Sequence, residues 1–227
     1  MRFVALVRGD IRFQFKYGFY LLYGIFVLMY IAILQLLPEE WKGYVAVLMV
    51  FSDPTMLGLF FMGAILQFEK EEHTLHSIIV SPVKVQEYVL AKLCSLAVIS
   101  TLVALLLAKV GGILDHPMRF GLAIVFGSCL FTSLGLVLAT KAHTLNQFLL
   151  YTAPCELLIT VPAGFYLFGN SAPIFLMHPG CSLIELCMSG DHVLFASLSL
   201  LLWTLLFVWL AIRETRTYFS TLGGAKA

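Results

Sequence analysis

Ionisable side chains are scarce in this chain. Asp, Glu, Lys and Arg supply 12% of its 227 residues, against about a quarter in a soluble domain. Hydrophobic residues supply 60%, and mean hydropathy is +0.95. A soluble globular domain is excluded by that shortfall, and a polytopic membrane protein is what remains. A net charge of +1 gives no general pull toward nucleic acid. Catalytic signatures are missing too: there is no GxxxxGK[ST], GxSxG, HExxH or GxGxxG. The five cysteines show no CxxC or Cys/His spacing for a metal. Cys94, Cys129 and Cys155 read as small core residues, while Cys181 and Cys187 share a loop where a disulfide is open in an oxidising compartment.

What the chain does have is long apolar runs. Residues 17–37, 44–68, 88–107, 120–140, 147–168 and 192–212 are each long enough to cross a bilayer. An all-α integral membrane fold with six transmembrane helices is expected. No cleavable signal peptide is expected, because the first apolar run is long enough to remain as a span. Tyr17, Tyr20, Tyr23 and Trp41 fall where interfacial aromatics belong. Ahead of the first span, residues 1–16 form an amphipathic helix at the membrane interface, with Arg2, Arg8, Arg12 and Lys16 on one face. Asp10 is the exception within its apolar arc. The remaining chain divides into a six-helix domain, 17–213, and a short, mobile cytoplasmic tail, 214–227. Within the domain lie a charged hairpin, 69–92, and an external segment, 169–191. Phe175 to Met177 and Leu183 to Met188 are apolar enough to make short re-entrant or surface helices in that segment.

Lysine and arginine counting sets the orientation. With both termini cytoplasmic, eleven basic residues lie inside: Arg2, Arg8, Arg12, Lys16, Lys70, Lys84, Lys92, Lys141, Arg213, Arg216 and Lys226. Only Lys42, Lys109 and Arg119 lie outside. The expected location is the cell membrane, which the chain crosses several times. Two acids stand within spans. Asp53 precedes Pro54, which must kink or break the second span. Asp53 is a functional-site candidate, and Ser52 or Asp53 is equally suited to cap a helix restarting after the break. Glu156 is either protonated and hydrogen-bonded or lines a polar cavity.

The densest charge lies in Glu69-Lys70-Glu71-Glu72-His73-Thr74-Leu75-His76-Ser77-Ile78-Ile79-Val80-Ser81-Pro82. Thr74 to Val80 predicts two helical turns stopped at Ser81-Pro82, with a new helix restarting near Val85. His73 and His76 are three apart, but their neighbours Glu69, Glu71 and Glu72 offer no shell to hold an ion, and no metal is expected.

This stretch resembles the signature of ABC-2 type permeases, E-R-E-x-G-T-L-E-x-L-L-x-S-P. It keeps Glu69, Glu71, Thr74, Leu75, Ser81 and Pro82, with Ile78 and Ile79 for the leucines. His73 stands at the glycine and His76 at the glutamate. Glu87-Tyr88 and Lys92 resemble residues common just after the motif. Among subgroups, the small fluoroquinolone-export permeases are the most similar. The resemblance implies a type V exporter-like architecture in which Glu71, Glu72, His73, Thr74, Leu75, Ile78, Ile79, Ser81 and Pro82 form a coupling helix seated on an ATPase. It implies two ATPase subunits, a second permease chain in a homodimer, and ATP and Mg held by the partners, with no cofactor and no catalysis in this chain. A charge at Ile78 or Ile79 is then expected to uncouple transport. Asp53, Pro54 and Glu156 are candidates for the transport path. The scarcity of polar groups favours a small hydrophobic or amphipathic substrate (drug, lipid or peptide). The alternative is an ATP-independent secondary carrier or a scaffold. Carriers often carry paired broken helices and repeats; here Pro162 is only a faint counterpart of Pro54.

Overall fold

Apolar runs bounded by turns become helices throughout the computed structural model, which describes residues 2–169, 172–188 and 190–222. They are α1 (Arg2–Lys16), α2 (Phe19–Leu36), α3 (Glu39–Val50), α4 (Leu57–Glu71), α5 (Thr74–Val80), α6 (Val85–Gly111), α7 (Pro117–Lys141), α8 (Leu145–Leu167), α9 (Pro179–Cys187) and α10 (Val193–Leu222). A π-helical turn, Phe51–Thr55, joins α3 to α4, and a 3-10 turn, Pro173–Met177, precedes α9. Among the described residues, six helical stretches are long and apolar enough to cross a membrane: α2, α3 through α4, α6, α7, α8 and α10. The expected all-α membrane fold is the one observed.

The centre is α7, packed against α4, α6 and α10. Small residues let these backbones meet. A Cβ on Gly135 would lie 2.6 Å from the Gly58 carbonyl oxygen and 2.9 Å from Leu59 Cα. α2, α8 and α10 are peripheral, and Leu21, Leu28, Leu158, Leu194 and Leu202 point outward. Exposed leucine suits hydrocarbon contact, where the apolar side chain keeps apolar neighbours.

Pro54 removes one backbone donor, and the chain answers with a wider turn rather than a full break. The Thr55 hydroxyl donates to the Val50 carbonyl at 2.7 Å. Neither Ser52 nor Asp53 caps α4, which starts after Met56 without a side-chain cap. The capping role expected for them is therefore corrected: the π turn keeps the ladder continuous enough to need none.

The segment before the last span carries two short helices. All nine residues of α9 are buried, wedged against α7, α8 and α10. Cys181 and Cys187 are free thiols. Six residues along one helix separate them by about 9 Å, beyond disulfide reach. Burial pushes the Cys181 thiol up to about 11 and the Cys187 thiol up to about 12, which makes both unreactive.

Two further expectations change. Tyr23 is 2% exposed and faces the bundle rather than the interface. The last helix does not end near Arg213; it continues to Leu222 with Thr215 buried. Residues 223–227 of the expected tail, with Lys226, lie outside the described residues, as does the Arg2 side chain.

Candidate functional site: the charged hairpin and its base

α4 ends at Glu71, where the Glu72 amide donates to the Phe68 carbonyl at 2.9 Å. His73 then takes a left-handed conformation, φ 57. This region is uncommon for side chains other than glycine, though histidine enters it more readily than most. That conformation turns the chain into α5. The Thr74 hydroxyl donates back to the Glu69 carbonyl at 3.1 Å. At the far end the Ser81 hydroxyl donates to the Ile78 carbonyl at 2.7 Å, and Ser81 goes extended before Pro82. The Lys84 amide donates to Glu87 Oε2 at 2.9 Å and opens α6. The local chemistry therefore specifies a short helix held at both ends.

The hairpin has two sides. Leu75 is 1% exposed and anchors it. Ile78 and Ile79 are half-buried and pack on the same cluster, with Tyr88, Leu66 and Phe219. Glu71, Glu72, His73, His76, Ser77, Val80 and Pro82 are exposed, and Thr74 and Ser81 are intermediate. Val80 is 86% exposed, an apolar side chain at the tip with no core role. The hairpin thus divides into an inner row, Leu75, Ile78 and Ile79, that fixes the helix and an outer row, with His73, His76, Ser77 and Val80, that is exposed at the surface.

Beneath the hairpin lies a buried ion cluster that the sequence did not reveal. Lys92, 1% exposed, donates from Nζ to Asp10 Oδ1 at 2.5 Å and to Glu69 Oε1. The Tyr88 hydroxyl donates to Glu69 Oε2 at 2.6 Å. α1 enters this cluster through Asp10, and Gln14 Nε2 donates to Ser95 Oγ at 3.2 Å. Asp10, the misfit in the apolar arc, is the residue that docks α1. Arg8, Arg12 and Lys16 are exposed, together with Val4 and Phe15.

A second tie lies at the surface. Lys16 Nζ reaches Glu72 Oε1 at 2.7 Å, and the Tyr17 hydroxyl donates to the same oxygen. Lys16 and Tyr17 together hold the Glu72 carboxyl below its usual range. Lower α10 closes the third side: Lys70 Nζ lies 5.2 Å from the Tyr218 ring centroid, Tyr88 meets Phe219 at 5.2 Å, and Glu214 pairs with Lys141 at 3.7 Å.

The two acids proposed for a transport path are not brought together. Asp53 is half-buried beside Tyr23 and Tyr30 of α2. Its Oδ2 and the Tyr23 hydroxyl are buried without a hydrogen bond. Pro54 is buried. Glu156 stands half-buried on α8, and no ion pair joins it to another described residue. A third acid escaped the sequence reading. Glu185 on α9 is 7% exposed, accepts from the Tyr166 hydroxyl at 2.7 Å and from the His192 amide at 2.9 Å. Among the described residues no three His, Cys, Asp or Glu side chains gather to hold a metal.

Comparison with known proteins places this geometry in context. The model of the "Fluoroquinolones export permease protein family" matches residues 1–217. The fluoroquinolones export permease proteins of Mycobacterium tuberculosis strains CDC 1551 / Oshkosh and ATCC 25618 / H37Rv are each 28% identical over 167 residues. That span is 73% of this chain and 70% of each relative.

Proposed function

This chain belongs to the fluoroquinolones export permease protein family, and from that premise we propose that it is the membrane subunit of an ATP-driven exporter for small amphipathic molecules. Two copies of the chain form the path, and two separate ATPase subunits bind ATP and Mg. Both termini face the cytoplasm, in the cell membrane. The observation that carries the reading is the outer row of the hairpin. His73, His76, Ser77 and Val80 are exposed on a helix whose inner row and base are fixed to α1, α4, α6 and α10. A push on that row moves the bundle instead of bending a loop, and such coupling needs different contacts in two states.

A charge at Ile78 or Ile79 would disturb the hairpin core as well as a partner, so Val80 is the cleaner probe. With the ATPase co-expressed, Val80→Glu is expected to leave insertion and melting temperature unchanged. It should remove fluoroquinolone efflux and the stimulation of ATP hydrolysis by substrate. Unchanged efflux would count against the coupling role.

One observation favours a second reading, a proton-coupled carrier: the unpaired Asp53 oxygen in the bilayer core. A catalytically dead ATPase separates the two readings. Efflux that survives it and disappears in Asp53→Asn belongs to the carrier.

A further inference from the structure

At the end of the bundle opposite the hairpin, the first turns of α7 and α10, with Leu186 of the buried α9, line a cavity of about 550 Å³. Leu122 and Phe126 of α7 and Val193 and Leu200 of α10 form its walls, with His116 and Arg119 at its head. No carboxylate lines it. Arg119 is the third residue of α7 and forms no ion pair with any described residue. Its Nε and Nη2 are sealed from solvent without an acceptor. Arg119 as a whole is half-buried and lines the cavity. Burying part of a guanidinium without an anion is costly. The neighbouring carboxylates do not relieve that cost: Asp115, Glu39 and Glu40 line a different cavity, and Glu185 is taken up by Tyr166 and the His192 amide.

We propose that this cavity is a binding site for an anionic phospholipid. The phosphate sits at Arg119, with His116 beside it, and one acyl chain lies in the groove between α7 and α10. Three features favour a lipid over a free anion. The guanidinium stands at the end of an apolar span, at headgroup depth. The groove below it is lined by apolar side chains along two turns of α7. Its rim carries an outward apolar residue, Met118 at 81% exposure, which continues into the lipid-facing surface. A guanidinium suits a phosphodiester because its planar donors match two phosphate oxygens.

The test is native mass spectrometry of the full chain in detergent with equimolar dioleoylphosphatidylglycerol and dioleoylphosphatidylcholine. The wild type should retain the anionic lipid several-fold over the zwitterionic one. Arg119→Gln should equalise the two, and Arg119→Lys should keep most of the preference because the charge remains. Leu122→Trp, which fills the groove and spares Arg119, should lower retention of both lipids alike. If Arg119→Gln does not fold, the lysine and tryptophan variants carry the comparison. Undiminished preference in Arg119→Gln, or in Leu122→Trp an undiminished yield of both adducts, would overturn the site. So would displacement of the lipid by an equimolar fluoroquinolone, whose carboxylate would then be the anion that Arg119 holds.

Discussion

Lys92 decides the local electrostatics of this protein. It meets two carboxylates inside the bundle, and removing the cation leaves both without compensation. Breaking a buried pair from one side costs about 3–5 kcal/mol. Lys92→Ala should therefore lower the melting temperature sharply, and a triple replacement, Asp10→Asn, Glu69→Gln and Lys92→Met, should recover much of the loss. Thermal unfolding in detergent checks both. Glu72 acts differently because it is exposed. Its carboxyl is held below the usual range by Lys16 and Tyr17, so its contribution is present above the ordinary carboxyl pKa and lost as pH falls through the depressed value. Hydrogen exchange of residues 70–76 should speed up below about pH 4.5, the ordinary carboxyl value, and Lys16→Ala should produce the same acceleration at neutral pH.

Among the helices, the crossing of α4 and α7 leaves no room for a methyl group. A Cβ at Gly135 would meet backbone atoms of Gly58 and Leu59, which cannot rotate away. Overpacking of this kind costs about 1–3 kcal/mol. Gly135→Ala should destabilise the bundle by that order. Gly121→Ala on the same helix, where a Cβ would meet nothing within 4 Å, should be neutral; paired melting curves separate the two. Hydropathy made the spans legible, because an apolar run of bilayer length has few other fates. The Ser81-Pro82 stop and the interruption at Pro54 were legible for the same local reason. Cross-helix partners were not. Asp10 and Lys92 are 82 positions apart, and nothing in either neighbourhood names the other; only the misplacement of Asp10 hinted at a partner. The missing cap at Asp53 follows from the π turn that Pro54 forces, and the burial of Tyr23 follows from its packing with Phe61 of α4, a tertiary contact that local propensity does not encode. The continuation of α10 past Arg213 was hidden by its charges: Glu214 pairs with Lys141 and Arg213 lies over Trp209, while Tyr218 further on meets Lys70 of the hairpin side.

Considered whole, the molecule is rigid at the hairpin end and ragged at its flanks. α1, α4, α6 and the lower part of α10 converge on residues 69–92, while α2, α8 and upper α10 present apolar side chains outward. Truncation after Arg213 would remove Glu214, Tyr218 and Phe219 from this convergence. It should raise hydrogen exchange across residues 69–92 as a block, with little change in α7. Exchange confined to the truncated end would show that the last turns merely rest there.

One lysine facing two acids has a consequence of its own. Gly18, left-handed at φ 73, joins the first helix to the second. When that arm rests on the wall, Asp10 sets a second carboxyl against the Lys92–Glu69 couple, away from water. Desolvation, and then Glu69, raise the Asp10 carboxyl against the pull of Lys92. The resting arm therefore holds its proton more tightly than the released one. Its grip is firmest in acid and slackens as pH climbs from the ordinary carboxyl value through the raised one. Through Asp10 the N-terminal arm is in this sense an acid-set latch, and a spin label at Val4 should report its loosening as pH rises through the raised carboxyl value.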